Sequence, residues 1–261
     1  MTNPAPVGEA VGEAVGLTGT TAIVTGASRG FGRAIAAALS AAGAHVVGVA
    51  RTSAQLDEVR HELGDTFTAV TADAADPATA SRLIDEHRPR TLVLCAGAAP
   101  RMGPLQDQTW ETFGQNWRVD VAQAFHWVRH ALQRPLAPGS SVIAISSGAA
   151  INGSPISGGY AGAKATVRFI ADYAAIESER AGLGISFVSV LPQLTPATDL
   201  GSNAVAAYAE RQGVDLGTFL KALVPALTPD QVGKSVLEIA TTEHPDVRAY
   251  KLTSAGISPL T

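Results

Sequence analysis

Cysteine is almost missing from this sequence: Cys95 stands alone among 261 residues, which excludes an internal disulfide and a cysteine-rich zinc site. No Lys/Arg-rich run or basic stripe occurs, and the net charge is -4. Nothing therefore points to nucleic acid as a partner. No apolar run reaches the roughly 20 residues of a membrane span, because Gly, Pro or a charge interrupts each one. The first 17 residues, MTNPAPVGEAVGEAVGL, carry two glutamates and no basic residue, so they lack the positive n-region and apolar h-region of a signal peptide. They read as a flexible tail ahead of a single domain over 18–261, and a cytoplasmic location is expected. What is present, 46% hydrophobic and 16% charged residues, is the composition of a globular chain long enough to bury most of its apolar surface.

From Thr20 onward, short β-branched runs alternate with alanine-rich stretches of helical period. TTAIVTG reads as a strand, GRAIAAALSAAG as a helix and AHVVGVAR as the next strand. The alternation continues through TFTAVTAD, TLVLCAG, SSVIAISS, ISFVSVLP and a last short strand near RAYKLT, with helices between them. One long helix is expected over 109–133 and another from Tyr160. Strands apolar on both faces imply a parallel sheet covered by helices on both sides. The expected fold is one doubly wound α/β (Rossmann) domain, with a mostly parallel sheet of about seven strands. Between 193 and 227 the alternation lapses into Pro- and Gly-punctuated chain following a strand end, where a lid or binding loop is expected.

TGASRGFG, residues 25–32, leaves the first strand and opens the first helix. Gly26 can make the tight turn, Gly30 admits a pyrophosphate close to the backbone, and Gly32 permits tight packing. Tyr160 lies thirteen positions after Ser147, and Lys164 follows one helical turn later, so Tyr160 and Lys164 project from one helix face. Ser147 would lie at a strand's carboxyl end, on the ligand side of the sheet. Alternatives at this level are a turn capped by Ser146 or Ser147 and a Tyr160 that only packs.

The TGxxxGxG turn together with Tyr160-x-x-x-Lys164 resembles the short-chain dehydrogenase/reductase family, over about residues 17–193. The resemblance implies a nicotinamide cofactor held by Gly26, Ser28, Arg29, Gly30, Phe31, Gly32, Arg51, Thr52, Asp73, Ala74, Ala96, Gly97, Tyr160, Lys164, Pro192, Gln193, Leu194 and Thr195. It implies hydride exchange with a carbonyl or alcohol, in which Tyr160 is the general acid/base, Ser147 polarises the substrate oxygen and Lys164 binds the ribose. A tyrosine near its ordinary value of about 10 is a poor acid at neutrality, and a neighbouring ammonium favours the phenolate. Charge also bears on cofactor choice. Ala50 stands where relatives using NAD place a carboxylate, and Arg51 follows; an arginine there pairs with a 2′-phosphate, so NADP(H) is expected over NAD(H), with Arg29 adding charge. Asp73 matches the family's adenine contact, or caps a helix.

Four departures from the family pattern stand out. Asp120 replaces an asparagine; ionised it would favour the Lys164 ammonium, and protonated it could donate as the asparagine does. Leu94 and Cys95 replace two asparagines after the fourth strand, which makes Cys95 a small buried apolar residue and no nucleophile. Gln193 replaces a glycine after Pro192. KLTSAGISPLT replaces a glycine-rich carboxyl end. Substrate-facing segments are expected at 98–105, 148–159 and 194–224. They offer Met102, Leu105, Ile151, Ile156, Leu194 and Leu200, hence an apolar carbonyl compound, with Arg101 as the exception. The alternative is a nucleotide-binding regulatory or scaffold protein with little turnover. A homodimer or homotetramer through helices 107–133 and 160–181 is what the resemblance implies.

Overall fold

The computed structural model describes residues 16–242 and 247–260. Most of the expected tail lies outside them. Leu17, however, is 1% exposed and belongs to the core, so the domain begins no later than that residue.

The first half runs β1 (Thr21–Thr25), α1 (Gly30–Ala41), β2 (His45–Ala50), α2 (Ser53–Leu63), β3 (Phe67–Thr71), α3 (Pro77–His87) and β4 (Thr91–Leu94). Then come α4 (Trp110–Asn116), a π-helical stretch (Trp117–Val121), α5 (Ala122–Gln133), β5 (Ser141–Ile145), α6 (Ala149–Asn152), α7 (Gly158–Ala181) and β6 (Ser186–Pro192). α8 (Asp199–Gln212), α9 (Leu216–Lys221), α10 (Pro229–Thr241), β7 (Ala249–Thr253) and β8 (Gly256–Pro259) close the chain.

Eight strands form one sheet in the order β3-β2-β1-β4-β5-β6-β7-β8. All neighbours are parallel except β7 and β8. β8 is the one strand beyond the seven expected. It forms a hairpin whose two-residue loop, Ser254–Ala255, lacks the Asn-Gly or Asp-Gly signal that makes such turns legible.

The central strands are buried on both faces, which is why their sequences are runs of Val, Ile and Leu rather than alternations. On one face Ile35 and Leu39 of α1, Leu56 of α2 and Val232 and Val236 of α10 pack with Val24, Val46 and Val190. On the other, Leu83 and Ile84 of α3, Trp127 of α5 and Ala174 of α7 pack with Ile23, Val47 and Leu92. Each large apolar side chain so buried contributes about 1.5–3 kcal/mol relative to exposure.

The long helix expected over 109–133 is interrupted by the π stretch. A π turn inserts extra chain and re-aims side chains inward; Asp120, within it, is 1% exposed. Strand order reverses between β1 and β4, so the loops leaving their carboxyl ends diverge and open a crevice.

Candidate active site

A cleft of about 1000 Å³ opens at that crevice. Every residue assigned to the nucleotide lines it, as do Ser147 and Asp120.

At its first end, the chain turns from β1 into α1. The Gly26 N–H donates to the Val49 carbonyl across the β1–β2 pair, at 2.8 Å. A Cβ on Gly32 would lie 2.1 Å from the Gly26 carbonyl oxygen, so the helix can pack this close to its own turn only with glycine there. α1 has no acidic residue in its first turn and no side-chain cap at Arg29. Its N-terminal N–H groups are thus left to a ligand, and that dipole end favours an anion. Thr25 was not singled out from the sequence, yet its buried hydroxyl fastens the crevice. It donates to the Val93 carbonyl and accepts the Cys95 and Ala96 N–H groups at 2.9 and 3.2 Å. This contact and Gln123 Nε2 on the Ala96 carbonyl (2.9 Å) hold the turn where the family has asparagines.

The charges at this end are exposed. Arg51 follows β2 and forms no ion pair among the described residues; α2 begins just beyond it with no acidic residue in its first turn. Arg29 instead pairs with Asp199 at the start of α8, 2.7 Å apart, reaching across the cleft mouth. A second contact joins α8 to the opposite wall, between the hydroxyls of Tyr208 and Ser154. Asp73 Oδ1 accepts the Ala75 N–H at 2.9 Å, while Asp76 is the residue that caps α3. The Thr195 hydroxyl donates to the Leu227 carbonyl and accepts the Ala197 N–H at 3.2 Å.

At the other end Ser147, Tyr160 and Lys164 line the cleft. The two candidate serines separate clearly. Ser146 Oγ is buried and donates to the Lys164 carbonyl at 2.7 Å, locking β5 to α7. Ser147 Oγ accepts the Ala149 N–H at 3.2 Å. A hydroxyl has one donor and two acceptor sites, so the Ser147 proton remains available to the cleft. α7 starts at Gly158, two residues before Tyr160. The Tyr160 hydroxyl makes no hydrogen bond among the described residues, and Lys164 Nζ lies 5.7 Å from its ring centroid.

Lys164 is 6% exposed. Its ammonium donates to the Ile145 carbonyl at 3.0 Å and lies 3.0 Å from Asp120 Oδ1. Burial, the largest single influence, would lower the Lys164 value, but Asp120 first and its other neighbours together outweigh it, and the group is held above the ordinary lysine range. Asp120 Oδ2 accepts the Ala98 N–H at 3.0 Å and Asn116 Nδ2 at 3.3 Å. Cys95 lines the cleft and packs on the core, and burial pushes its thiol up to about 11. That leaves it a neutral, unreactive wall residue at physiological pH.

The substrate-facing expectations divide. Met102, Ile151, Leu194 and Leu200 line the cleft. Leu105 does not: it sits on a short 3-10 turn, 72% exposed to solvent. Ile156 is 4% exposed and packed inside the protein instead. Arg101 lines a separate shallow depression beside Tyr160. Among the described residues no helix is long and apolar enough to cross a membrane.

Comparison with known proteins agrees with this geometry. Residues 20–209 match the family model of the short chain dehydrogenases. L-xylulose reductase of Bos taurus is 30% identical over 207 residues, 78% of this chain and 84% of its own length. The L-xylulose reductase of Mesocricetus auratus is 36% identical over 129 residues, about half of each chain. Versicolorin reductase stcU of Emericella nidulans is 31% identical over 160 residues, 58% of this chain and 60% of its own length. Among solved structures, a 3-ketoacyl-(acyl-carrier-protein) reductase from Brucella melitensis, complexed with NADH, shares the fold with a TM-score of 0.75 at 21% identity, covering 91% of this chain and 98% of that one. The chain belongs to the short-chain dehydrogenase/reductase family of oxidoreductases.

Proposed function

We propose that the protein is an NADP(H)-dependent oxidoreductase interconverting a carbonyl compound with its alcohol. The observation that carries the reading is the convergence of Ser147, Tyr160 and Lys164 on the same cleft as the glycine turn. The residues present fit a nicotinamide dinucleotide: Gly32 lets α1 pack close against its own turn, and the uncapped α1 terminus offers N–H groups that suit a pyrophosphate.

The bound nicotinamide would supply the hydride. Ser147 donates its free hydroxyl proton as a hydrogen bond to the substrate oxygen, where negative charge develops. Tyr160 delivers the proton to that oxygen in reduction and removes it in oxidation. Lys164 holds the ribose side of the cofactor and bears on the charge state of Tyr160. Arg51, exposed and unpaired among the described residues beside the uncapped α2 terminus, suits a 2′-phosphate, and no carboxylate at Ala50 opposes it. This supports NADP(H) over NAD(H).

Met102, Ile151, Leu194 and Leu200 favour an apolar substrate, with α8 and α9 acting as a lid over residues 193–227. Trp117, Phe125, Phe169 and Tyr173 are each more than 40% exposed on the π stretch, α5 and α7, which supports a homodimer or homotetramer through these helices.

Fluorescence titration with NADPH and with NADH tests the cofactor reading; NADPH should bind at least about tenfold more tightly, some 1.4 kcal/mol. NADPH oxidation across a carbonyl panel should fall about 10²–10⁴-fold in Tyr160→Phe, with NADPH binding retained. A folded protein that binds neither nucleotide would end the enzyme reading.

A further inference from the structure

Resting on the role given to Tyr160, we infer that Asp120 is a charge-setting positioning residue: its carboxylate cancels the Lys164 ammonium and keeps the Tyr160 phenol protonated to higher pH than an unpaired lysine would allow.

The geometry is a closed one. Asp120 is 1% exposed and the Lys164 side chain 8%, with 3.0 Å between Oδ1 and Nζ. The groups bonded to Oδ2 are both donors, the Ala98 N–H and Asn116 Nδ2. An ionised carboxylate only accepts, so the two donors on Oδ2 and the ammonium 3.0 Å from Oδ1 match the charged form. Asn116 is itself fixed by donating to the Ala98 carbonyl at 2.7 Å. A Cβ on Gly97 would lie 2.9 Å from Asp120 Oδ1; the chain leaving β4 closes over the carboxylate and leaves no room for a side chain there.

The consequence follows from charge. A lone ammonium beside a phenol favours the phenolate. An ammonium paired at 3.0 Å with a carboxylate presents the phenol with a dipole of no net charge. Other groups near Tyr160 do not restore the imbalance. The Cys95 thiol is neutral at physiological pH because burial pushes it up to about 11. Arg101 lies at the exposed depression beside Tyr160. Arg118, on the π stretch, turns to the Glu111 carbonyl, and His130 of α5 turns to Asp85.

Removing the Asp120 charge leaves the Lys164 ammonium uncancelled, and the phenol beside it then loses its proton at lower pH.

The test is a spectrophotometric titration of phenolate in the full-length, cofactor-free protein, with the Tyr160→Phe trace subtracted. Asp120→Asn, nearly isosteric, should move the Tyr160 midpoint down by about one pH unit or more. The double variant Asp120→Asn/Lys164→Gln removes both charges and leaves no unpaired buried ion. Its midpoint should return to within about half a unit of the unmodified protein. An unchanged or raised midpoint in folded Asp120→Asn overturns the inference. If that variant does not fold, a double-variant midpoint more than about one unit above the unmodified protein overturns it, since Lys164 would then have been acting uncancelled. The titration needs no substrate: a carbonyl panel without turnover would fail the oxidoreductase reading while leaving this result standing.

Discussion

The two ends of the cleft treat positive charge in opposite ways. Around the glycine turn, Arg51 and Arg29 sit in solvent, one unpaired among the described residues and the other bridged to Asp199. At the other end, beside Tyr160, Lys164 is buried and matched to Asp120. Water stabilises an exposed cation, so it can wait for an anionic ligand without penalty. A buried cation has no such recourse and must be paired within the fold. Charge is therefore available for binding at one end and committed to the protein's own architecture at the other.

The sharpest way to break this comparison is to leave a buried charge alone. Lys164→Met strands the Asp120 carboxylate and should destabilise the fold by about 3–5 kcal/mol, measured by urea denaturation near neutrality. The pH dependence has a definite sign. The folded Lys164 value is raised, so its contribution is complete below the unfolded value of about 10.4 and is lost as pH rises through the folded one. The share of the gap that comes from the Lys164 charge should thus be lost only in strong alkali. A variant as stable as the parent would show that the pair is not holding the site.

At the exposed end the same kind of deletion should act on ligand and not on fold. Arg51→Ala should weaken NADPH binding about 10–100-fold, leave NADH binding unchanged, and alter stability by no more than about 0.5 kcal/mol. Equal losses for both nucleotides would place Arg51 away from the 2′-phosphate. The smallest effect belongs to the bridge across the cleft mouth: Asp199→Asn should cost less than about 1 kcal/mol, and added salt should shrink the difference. A larger loss, read by thermal denaturation, would mean that Arg29 and Asp199 clamp the lid more firmly than an exposed ion pair can.

Much of this was legible before any coordinates. The glycine turn at 25–32 and the Ser147-Tyr160-Lys164 spacing were readable because each depends on local geometry: a strand entering a helix, and one helical turn. Gln123 and Thr25 were not, because their function is to hydrogen-bond chain segments 27 and about 70 residues away. The π stretch was hidden inside a pattern of unbroken helical period. Leu105 and Ile156 illustrate a different limit. Both lie in loops, where hydrophobicity alone does not tell a cleft wall from an exposed turn or a packed interior, and they went to solvent and to the interior respectively.

The sequence by itself determined the doubly wound architecture, the glycine turn and the spacing of Ser147, Tyr160 and Lys164, which line one cleft, since apolar periodicity and motif spacing are properties of contiguous chain. Only the tertiary structure decided which serine has its hydroxyl proton committed to the fold, that Arg29 is tied to Asp199, and that Asp120 meets Lys164 at 3.0 Å. Those outcomes depend on distances between segments 18 to 170 residues apart, which burial and the strand order of the sheet fix and which no local pattern records.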